Sequence, residues 1–407
     1  MPDATEQTPG SDCAAQFPDM LDRPSLVRAI AADLAAESDL CAIAVALDTA
    51  GDPPPTICPT LIVPIAALWR THGAIWGQTA ANRFVGVVPR MTRADGEKLA
   101  RQLLADCGPP ATVGLAIHPT LDYRCDQIVE NAHKALVHGS FFGPGTVTVF
   151  DAVSLNISGD RCYQAGDINA AIKEFEQGLR LDPEDVNLHN SLGVCYGVRH
   201  DYPRAMAAFE EVLRRAPETV MALYNKGYLL LLQDQREAAL ECFLAADARE
   251  SGVFEVRFHI GQAYMQNGAP EKARNYLEAA TRANPRSGPA FKLLGDCLEG
   301  LGRTKAAIQA YKRTVKINPE DADALSILGR LYARRGESPD VALVLCRQSV
   351  QLAPRNGCYH HRLGQVCLQQ GELDEALAAF KKAKTLGHDS QPQIDETQER
   401  MLAAKAS

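Results

Sequence analysis

The sequence predicts an α/β domain followed by an all-α array of repeated helix pairs. Three observations carry that prediction. Seven glycines, Gly159, Gly193, Gly227, Gly261, Gly295, Gly329 and Gly364, follow one another at 34 residues five times and then at 35. Seven alanines, Ala171, Ala205, Ala239, Ala273, Ala307, Ala342 and Ala376, keep the same step with a single 35. Ahead of them, between Phe17 and Phe150, short alternating apolar runs separate helical ones. A fixed period of a few tens of residues marks a chain of stacked supersecondary units. Alternating runs mixed with helical ones mark a sheet covered by helices.

Each repeat reads as two helices. In the first, Leu155, Cys162 and Tyr163 flank Gly159 at helical spacing, Gly166-Asp167 breaks the chain, and Ala171, Ile172, Phe175 and Leu179 form a second apolar stripe. Asp182-Pro183 ends it, because proline lacks the amide hydrogen and clashes with the preceding turn. A glycine inside a helix costs about 1 kcal/mol against alanine. Seven in register therefore require a close approach between the paired helices. Phe175, Phe209, Phe243, Leu277, Tyr311, Cys346 and Phe380 share one large position, and Pro183, Pro217, Pro285, Pro319 and Pro354 share the terminating one. The extra residue of the sixth unit falls in 336–340, the turn between its helices, where an insertion costs least.

Residues 1–16 are polar, with Pro2 and Pro9-Gly10, and read as a disordered lead. The α/β domain occupies 17–151. Its expected elements are a helix over 24–37, a strand over 40–47, an apolar helix over 61–71, and strands over 74–78 and 83–89. A helix over 93–106, a strand over 111–118, a helix over 125–137 and a strand over 146–150 complete it. Repeats fill 152–390, and 391–407 reads as a capping helix with Ile394, Met401 and Leu402 on its apolar side.

The net charge of −8 disfavours a nucleic-acid partner. The longest apolar run, 61–68, contains Pro64 and is too short to insert in a membrane, so the expected location is the cytoplasm. The 12 cysteines include no CxxC pair, and those at repeat positions read as buried thiols. Cys358 and His361 stand three apart on one helix without an evident further ligand, so no metal and no cofactor is expected.

The glycine, alanine, aromatic and proline positions of 152–390 resemble the tetratricopeptide repeat. The resemblance implies a right-handed superhelix of antiparallel helix pairs that holds a peptide or partner protein in its inner groove. Projecting the groove-facing positions of the first helix in each pair gives Asn156, Tyr163, Asn187 and Asn190 in the first two units. The central units give Met221, Tyr224, Tyr228, Leu231, Phe258, Gln262 and Met265, and the later ones Lys292, Arg330 and His361. The aromatic and methionine residues imply an apolar strip. The asparagines could bond an extended backbone. Arg330 with Lys292 could receive a carboxylate or phosphate. Met221 stands at one basic position of the clamp by which some such arrays hold chaperone tails, which points instead to an apolar or amphipathic peptide.

Residues 17–151 resemble the GGDEF domain of diguanylate cyclases. Asp22-Arg23 with Leu26, Leu47-Asp48, Phe84-Val85-Gly86-Val87-Val88-Pro89 and Thr112-Val113-Gly114-Leu115-Ala116 match its opening helix and three strands, and Ala132, Ala135, Leu136, Gly143 and Val147 match its closing helix and strand. The implied fold is the ferredoxin-like cyclase palm. The signature turn, however, reads Ala80-Ala81-Asn82-Arg83-Phe84. Alanine disfavours the positive φ that glycine allows. Arg83 offers only donors where magnesium needs hard oxygen ligands, and repels a cation by about 4 kcal/mol per unit charge about 4 Å away at an effective dielectric near 20. His133 and Ser140 replace the family's Asp and Lys, and its inhibitory RxxD motif has no match in 70–78.

The expectation is therefore a non-enzymatic interaction scaffold whose degenerate GGDEF-like domain serves docking or dimerisation. The alternative is a GTP or cyclic di-GMP sensor in which that domain still binds nucleotide and signals to the array.

Overall fold

The structure is a computed structural model and describes residues 16–47, 59–106 and 110–406. It packs as two compact units, Met1–Pro217 and Glu218–Ser407.

The first unit opens on a six-stranded mixed sheet. Its strands are β1 (Leu21–Asp22), β2 (Leu40–Leu47), β3 (Ile75–Ala80), β4 (Arg83–Pro89), β5 (Ala111–His118) and β6 (Val147–Val149), in the order β1-β3-β4-β2-β5-β6. Strand β2 runs antiparallel to both β4 and β5, whereas β1 and β6 join their neighbours in parallel. The period of two along β2 divides the core. Cys41, Ile43, Val45 and Leu47 face a cluster with Ile62, Ile65 and Trp69 of α2 (Pro59–Thr71) and Leu99 and Leu103 of α3 (Arg93–Asp106). Leu40, Ala42 and Ala44 face Leu26 and Ile30 of α1 (Arg23–Asp33) and Ala132, Ala135 and Leu136 of α4 (Ile128–Ser140). Helices thus cover both faces, as a central strand apolar along its whole length requires. Two strand glycines have packing reasons. A Cβ on Gly114 would lie 2.3 Å from the carbonyl oxygen of Ala132, and one on Gly86 would lie 2.5 Å from the Trp69 ring.

The expected strands 40–47, 83–89 and 111–118 and the helix 93–106 form with those bounds. The helix expected over 61–71 starts at Pro59, the strands expected over 74–78 and 146–150 run Ile75–Ala80 and Val147–Val149, two further expectations need correction, and one strand is new. The first helix stops at Asp33, four residues early, before Glu37 turns to bind Arg90. The segment 125–127 is a separate 3-10 turn before α4. The two-residue β1 was not anticipated, because so short a parallel edge leaves no alternating pattern to read. The polar lead lies outside the described residues except for Gln16, and so does Asp48.

Asp151 caps α5 (Ala152–Gln164) through the Ser154 amide, and the first two helix pairs follow: α5 with α6 (Ile168–Leu181), and α7 (Val186–Val198) with α8 (Tyr202–Arg215). Leu155 of α5 is fully buried in the sheet-side cluster with Leu136 and Phe150. Lys134 reaches Glu174 at 2.7 Å and Arg180 reaches Asp122 at 2.5 Å, so the first pair is seated on the α/β region.

The second unit holds five more pairs. These are α9 (Val220–Leu232) with α10 (Arg236–Arg249), α11 (Phe254–Gln266) with α12 (Pro270–Ala283), and α13 (Gly288–Gly300) with α14 (Thr304–Ile317). Then come α15 (Ala322–Arg334) with α16 (Pro339–Leu352), α17 (Gly357–Gln370) with α18 (Leu373–Thr385), and the terminal α19 (Gln391–Ala406).

In all seven pairs the glycine of the first helix receives the large residue of the second. A Cβ would meet Phe175 at 2.3 Å on Gly159, Phe209 at 2.5 Å on Gly193, Tyr311 at 2.8 Å on Gly295, Cys346 at 2.6 Å on Gly329 and Phe380 at 2.7 Å on Gly364. The seven recurring alanines are fully buried. The turn within each pair holds a residue at positive φ: Gly166, Gly268, Gly302, Gly336 and Gly371, but also His200 (59°) and Asp234 (59°). The extra residue of the sixth unit is absorbed there, since the gap from Arg334 to Pro339 is four residues where the gap from Gln266 to Pro270 is three. In α19, Ile394 and Thr397 face inward while Leu402 is 68% exposed, which corrects the expectation that Leu402 lies on the buried side.

Candidate functional site

The central candidates gather around a residue that sequence reasoning passed over. His259 of α11 lies 5.7 Å from Tyr224 and 5.6 Å from Tyr228 of α9, 5.4 Å from Phe243 of α10 and 5.4 Å from Phe258, ring centre to ring centre. Tyr224 and Tyr228 stack on each other at 6.4 Å, one helical turn apart. Burial pushes the His259 imidazole below its usual pKa, so it sits among the rings as a neutral aromatic. Its Nδ1 is 3.2 Å from the side-chain oxygen of Gln262. His259 follows the groove position Phe258 by one residue, and no period in the sequence singles it out.

The cluster is open on one side. Tyr228 is 45% exposed and Met221, one helical turn before Tyr224, is 52% exposed. Tyr224, Leu231 and Gln262 are half-buried. Phe258 and Met265 turn partly inward onto the core that holds Leu277 and Leu294, so they serve packing as well as surface.

The polar candidates are placed otherwise. Lys292 does not stand beside Arg330 as an open pair. Its Nζ is 3.0 Å from Asp323 and 3.7 Å from Asp321, at the start of the next helix pair, and Asp323 also takes Arg362 at 2.9 Å. Arg330 binds Glu299 at 2.6 Å. A half-buried cation with carboxylates in reach pairs within the protein, which corrects the expectation of a joint Arg330–Lys292 anion site. His361 is engaged at both nitrogens, Nδ1 with the Ser390 hydroxyl at 2.8 Å and Nε2 accepting from Gln365 at 3.0 Å, and its ring centre is 4.3 Å from that of His388. Among the described residues no group of three or more His, Cys, Asp or Glu could hold a metal ion.

The asparagines lie in the first compact unit. Asn156 is half-buried, its Oδ1 without a partner among the described residues, Asn187 is exposed at the start of α7 with its backbone amide on Asp185, and Asn190 is half-buried on α7. Tyr163 is 37% exposed on α5.

At the β3–β4 hairpin, Asn82 ties the turn to the end of β2, donating its side-chain amide to the Leu47 carbonyl at 3.0 Å. Arg83 opens β4, its pKa lowered by partial burial and then by the charge of Arg161 on α5. The buried Nε2 of His133 has no hydrogen-bond partner among the described residues, and burial with the nearby Arg23 and Arg83 lowers its pKa to about 4.

Comparison with known families bears on the helical part. Tetratricopeptide repeat models match residues 196–252, 258–322, 300–357 and 358–388, and a TPR repeat model matches 159–197, together more than half of the chain. The chain belongs to the tetratricopeptide-repeat family. This TPR protein is 28% identical over 236 residues to "Protein CTR9 homolog" of Arabidopsis thaliana, a match covering 55% of this chain and 21% of that one. It is 24% identical over 242 residues to "Hsp70-Hsp90 organizing protein 1" of Glycine max, covering 57% and 41%. The TPR chain thus spans about a fifth to two-fifths of the length of these relatives. Among solved structures, PilF of Pseudomonas aeruginosa matches at 22% identity and a TM-score of 0.46, covering 50% of this chain and 92% of that one. No described helix is long and apolar enough to cross a membrane.

Proposed function

We propose that this TPR protein is a non-catalytic scaffold holding an extended apolar or amphipathic peptide against the helix face formed by Met221, Tyr224, Tyr228 and Phe258. The observation that carries the reading is the exposure of Met221 and Tyr228, at 52% and 45%, beside a continuous aromatic cluster. Large apolar side chains that stay in water next to one another mark a surface that gains by being covered. Gln262 at the edge of the cluster supplies an amide for a peptide backbone. One relative is named for organising two other proteins, which is the kind of work proposed here.

The test is a peptide selected by phage display on the full chain, its affinity then measured by fluorescence anisotropy. Met221→Ser with Tyr228→Ser should weaken binding about tenfold or more, as loss of two contact side chains at an interface centre does. Unchanged affinity would refute the face.

We read residues 17–151 as a degenerate GGDEF-like docking or dimerisation domain in the cytoplasm. The strand order β3-β4-β2-β5, with the signature-like turn in the β3–β4 hairpin, supports that reading. With Arg83 in place of a carboxylate, the full chain should not turn over GTP in the presence of magnesium. A nucleotide-sensing reading has one observation in its favour: Arg161 lies close enough to Arg83 to lower its pKa, and His133 Nε2, near Arg83, has no hydrogen-bond partner among the described residues. Calorimetric titration with GTP and cyclic di-GMP separates the two, since saturable micromolar binding would establish the sensor.

A further inference from the structure

The sheet has two outer strands, and only one of them is guarded. An edge strand offers a row of unpaired backbone groups, which proteins usually blunt by shortness, charge or proline. At one end of the order, β1 is two residues long, carries Asp22 and runs into Arg23-Pro24. At the other end stands β6, and the stretch 139–150 that contains it holds no Asp, Glu, Lys or Arg. Its one proline, Pro144, precedes the strand.

Val113 donates to the Thr146 carbonyl at 2.9 Å and Phe150 donates to the Leu115 carbonyl at 2.7 Å, so the even-numbered residues turn their polar groups to β5. Alternation along the strand then turns the amides and carbonyls of Val147 and Val149 outward. A cavity of about 460 Å3 is lined by residues 146–151 together with Arg93 and Phe142. Phe142 is 67% exposed, and Phe141 beside it 73%.

The outward groups match themselves. Under a two-fold axis at Thr148, Val147 of one copy lies opposite Val149 of the other, and each such pair exchanges two hydrogen bonds, as alternate pairs of an antiparallel ladder do. Thr148 then meets its own copy as the closer, non-bonded pair. An isologous contact of this kind closes at two chains. Each copy carries a net charge of −8, so copies meet with least repulsion along an uncharged stretch. Four phenylalanine rings, at about 150–250 Å2 each, and the two strand edges supply on the order of 1,000 Å2, the lower bound of a specific interface.

We propose that β6 is a homodimer edge: two copies of this chain join β6 to β6 antiparallel about Thr148, continuing one sheet into the other and covering Phe141 and Phe142. The inference deepens the docking or dimerisation reading of residues 17–151 and rests on it only in choosing dimerisation.

The experiment is sedimentation velocity of the full chain over a range of concentrations. A dimer with a micromolar dissociation constant is expected of so small an interface. Val147→Pro removes an outward amide without touching a bond to β5 and should weaken the dimer about tenfold or more, since each dimer loses two hydrogen bonds. Phe141→Glu with Phe142→Glu, at exposed positions, sets like charges across the axis and should leave monomers. Thr148→Cys should form a disulfide with its own copy under mild oxidation, whereas Val147→Cys should not, because only the closer pair holds its Cα atoms within disulfide reach. Mass spectrometry of the linked peptides separates these bonds from any made by the native cysteines, and circular dichroism checks that each variant folds. A chain monomeric at every concentration overturns both the edge and the dimerisation reading, whatever else then occupies β6. A dimer unmoved by Val147→Pro, or linked through Val147→Cys as readily as through Thr148→Cys, overturns the edge and leaves dimerisation standing.

Discussion

Gly193 and Gly197 lie four residues apart on α7 and should respond oppositely to the same substitution. A Cβ on Gly193 would stand 2.5, 2.8 and 2.9 Å from three atoms of the Phe209 ring, while a Cβ on Gly197 would meet nothing within 4 Å. Either Gly→Ala change gains about 1 kcal/mol of helix propensity. Overpacking a filled core costs about 1–3 kcal/mol. Phe209 is 3% exposed, so its ring has no free direction in which to swing, which places Gly193→Ala at the upper end of that range. The net expectation is about 1–2 kcal/mol of destabilisation for Gly193→Ala and about 0.5–1 kcal/mol of stabilisation for Gly197→Ala. A repeat array need not unfold as one body, so the measurement is amide hydrogen exchange followed peptide by peptide over α7 and α8. In a Phe209→Ala background the Gly193→Ala penalty should vanish, a coupling that a double-mutant cycle reads directly. If both single substitutions moved exchange in the same direction, the ring would not be what requires glycine at 193.

Two further predictions follow from the second unit. The Tyr311 hydroxyl donates to Asp296 at 2.5 Å, so Tyr311→Phe should cost about 1–3 kcal/mol in urea unfolding by leaving a half-buried carboxylate short of a donor; no loss would refute the bond. Burial, then His388 and Arg362, lowers the His361 pKa from 6.5 to about 4, with Asp389 opposing. The unfolded chain therefore takes up this proton first, and the associated stability, whole above pH 6.5, should fall away as pH drops toward about 4. The thermal midpoint followed over that window should decline less steeply in His361→Gln, and an equal slope would show that other groups carry the acid sensitivity.

How much was legible depends on what kind of physics fixed each feature. The helix pairs were readable because a glycine facing a ring leaves no choice: the residue type reports the gap directly. The central strands were readable because β2 is buried on both faces. By contrast, the turn position held by Gly166 and Gly302 is held by His200 and Asp234 in two units, where an exposed residue takes the left-handed conformation and leaves no glycine to count. The partners of Lys292 and Arg330 were hidden for another reason. Asp323 and Glu299 lie about one repeat away, 31 residues each, and single-sequence patterns show which face a charge takes but not which opposing charge reaches it first. His259 was missed because a histidine buried among rings looks, in sequence, like a polar residue on a mixed face.

The pairing of glycine with a large residue also explains how the array can differ in chemistry along its length. The large partner varies from Phe243 to Leu277, Tyr311 and Cys346, yet the glycine opposite it stays. What recurs is the space between the two helices, and whatever fills it keeps each pair closed. The first-helix residues that do not enter that space are released from the fold's requirement. In the third pair they are Met221 and Tyr228, both exposed; in the fifth to seventh they are Lys292, Arg330 and Arg362, meshed with carboxylates. An apolar strip and a set of paired charges can therefore stand on one repeating frame without either disturbing how the frame packs. That independence is why exchanging Tyr228 should alter peptide capture while leaving the exchange protection around Gly227 and Phe243 intact.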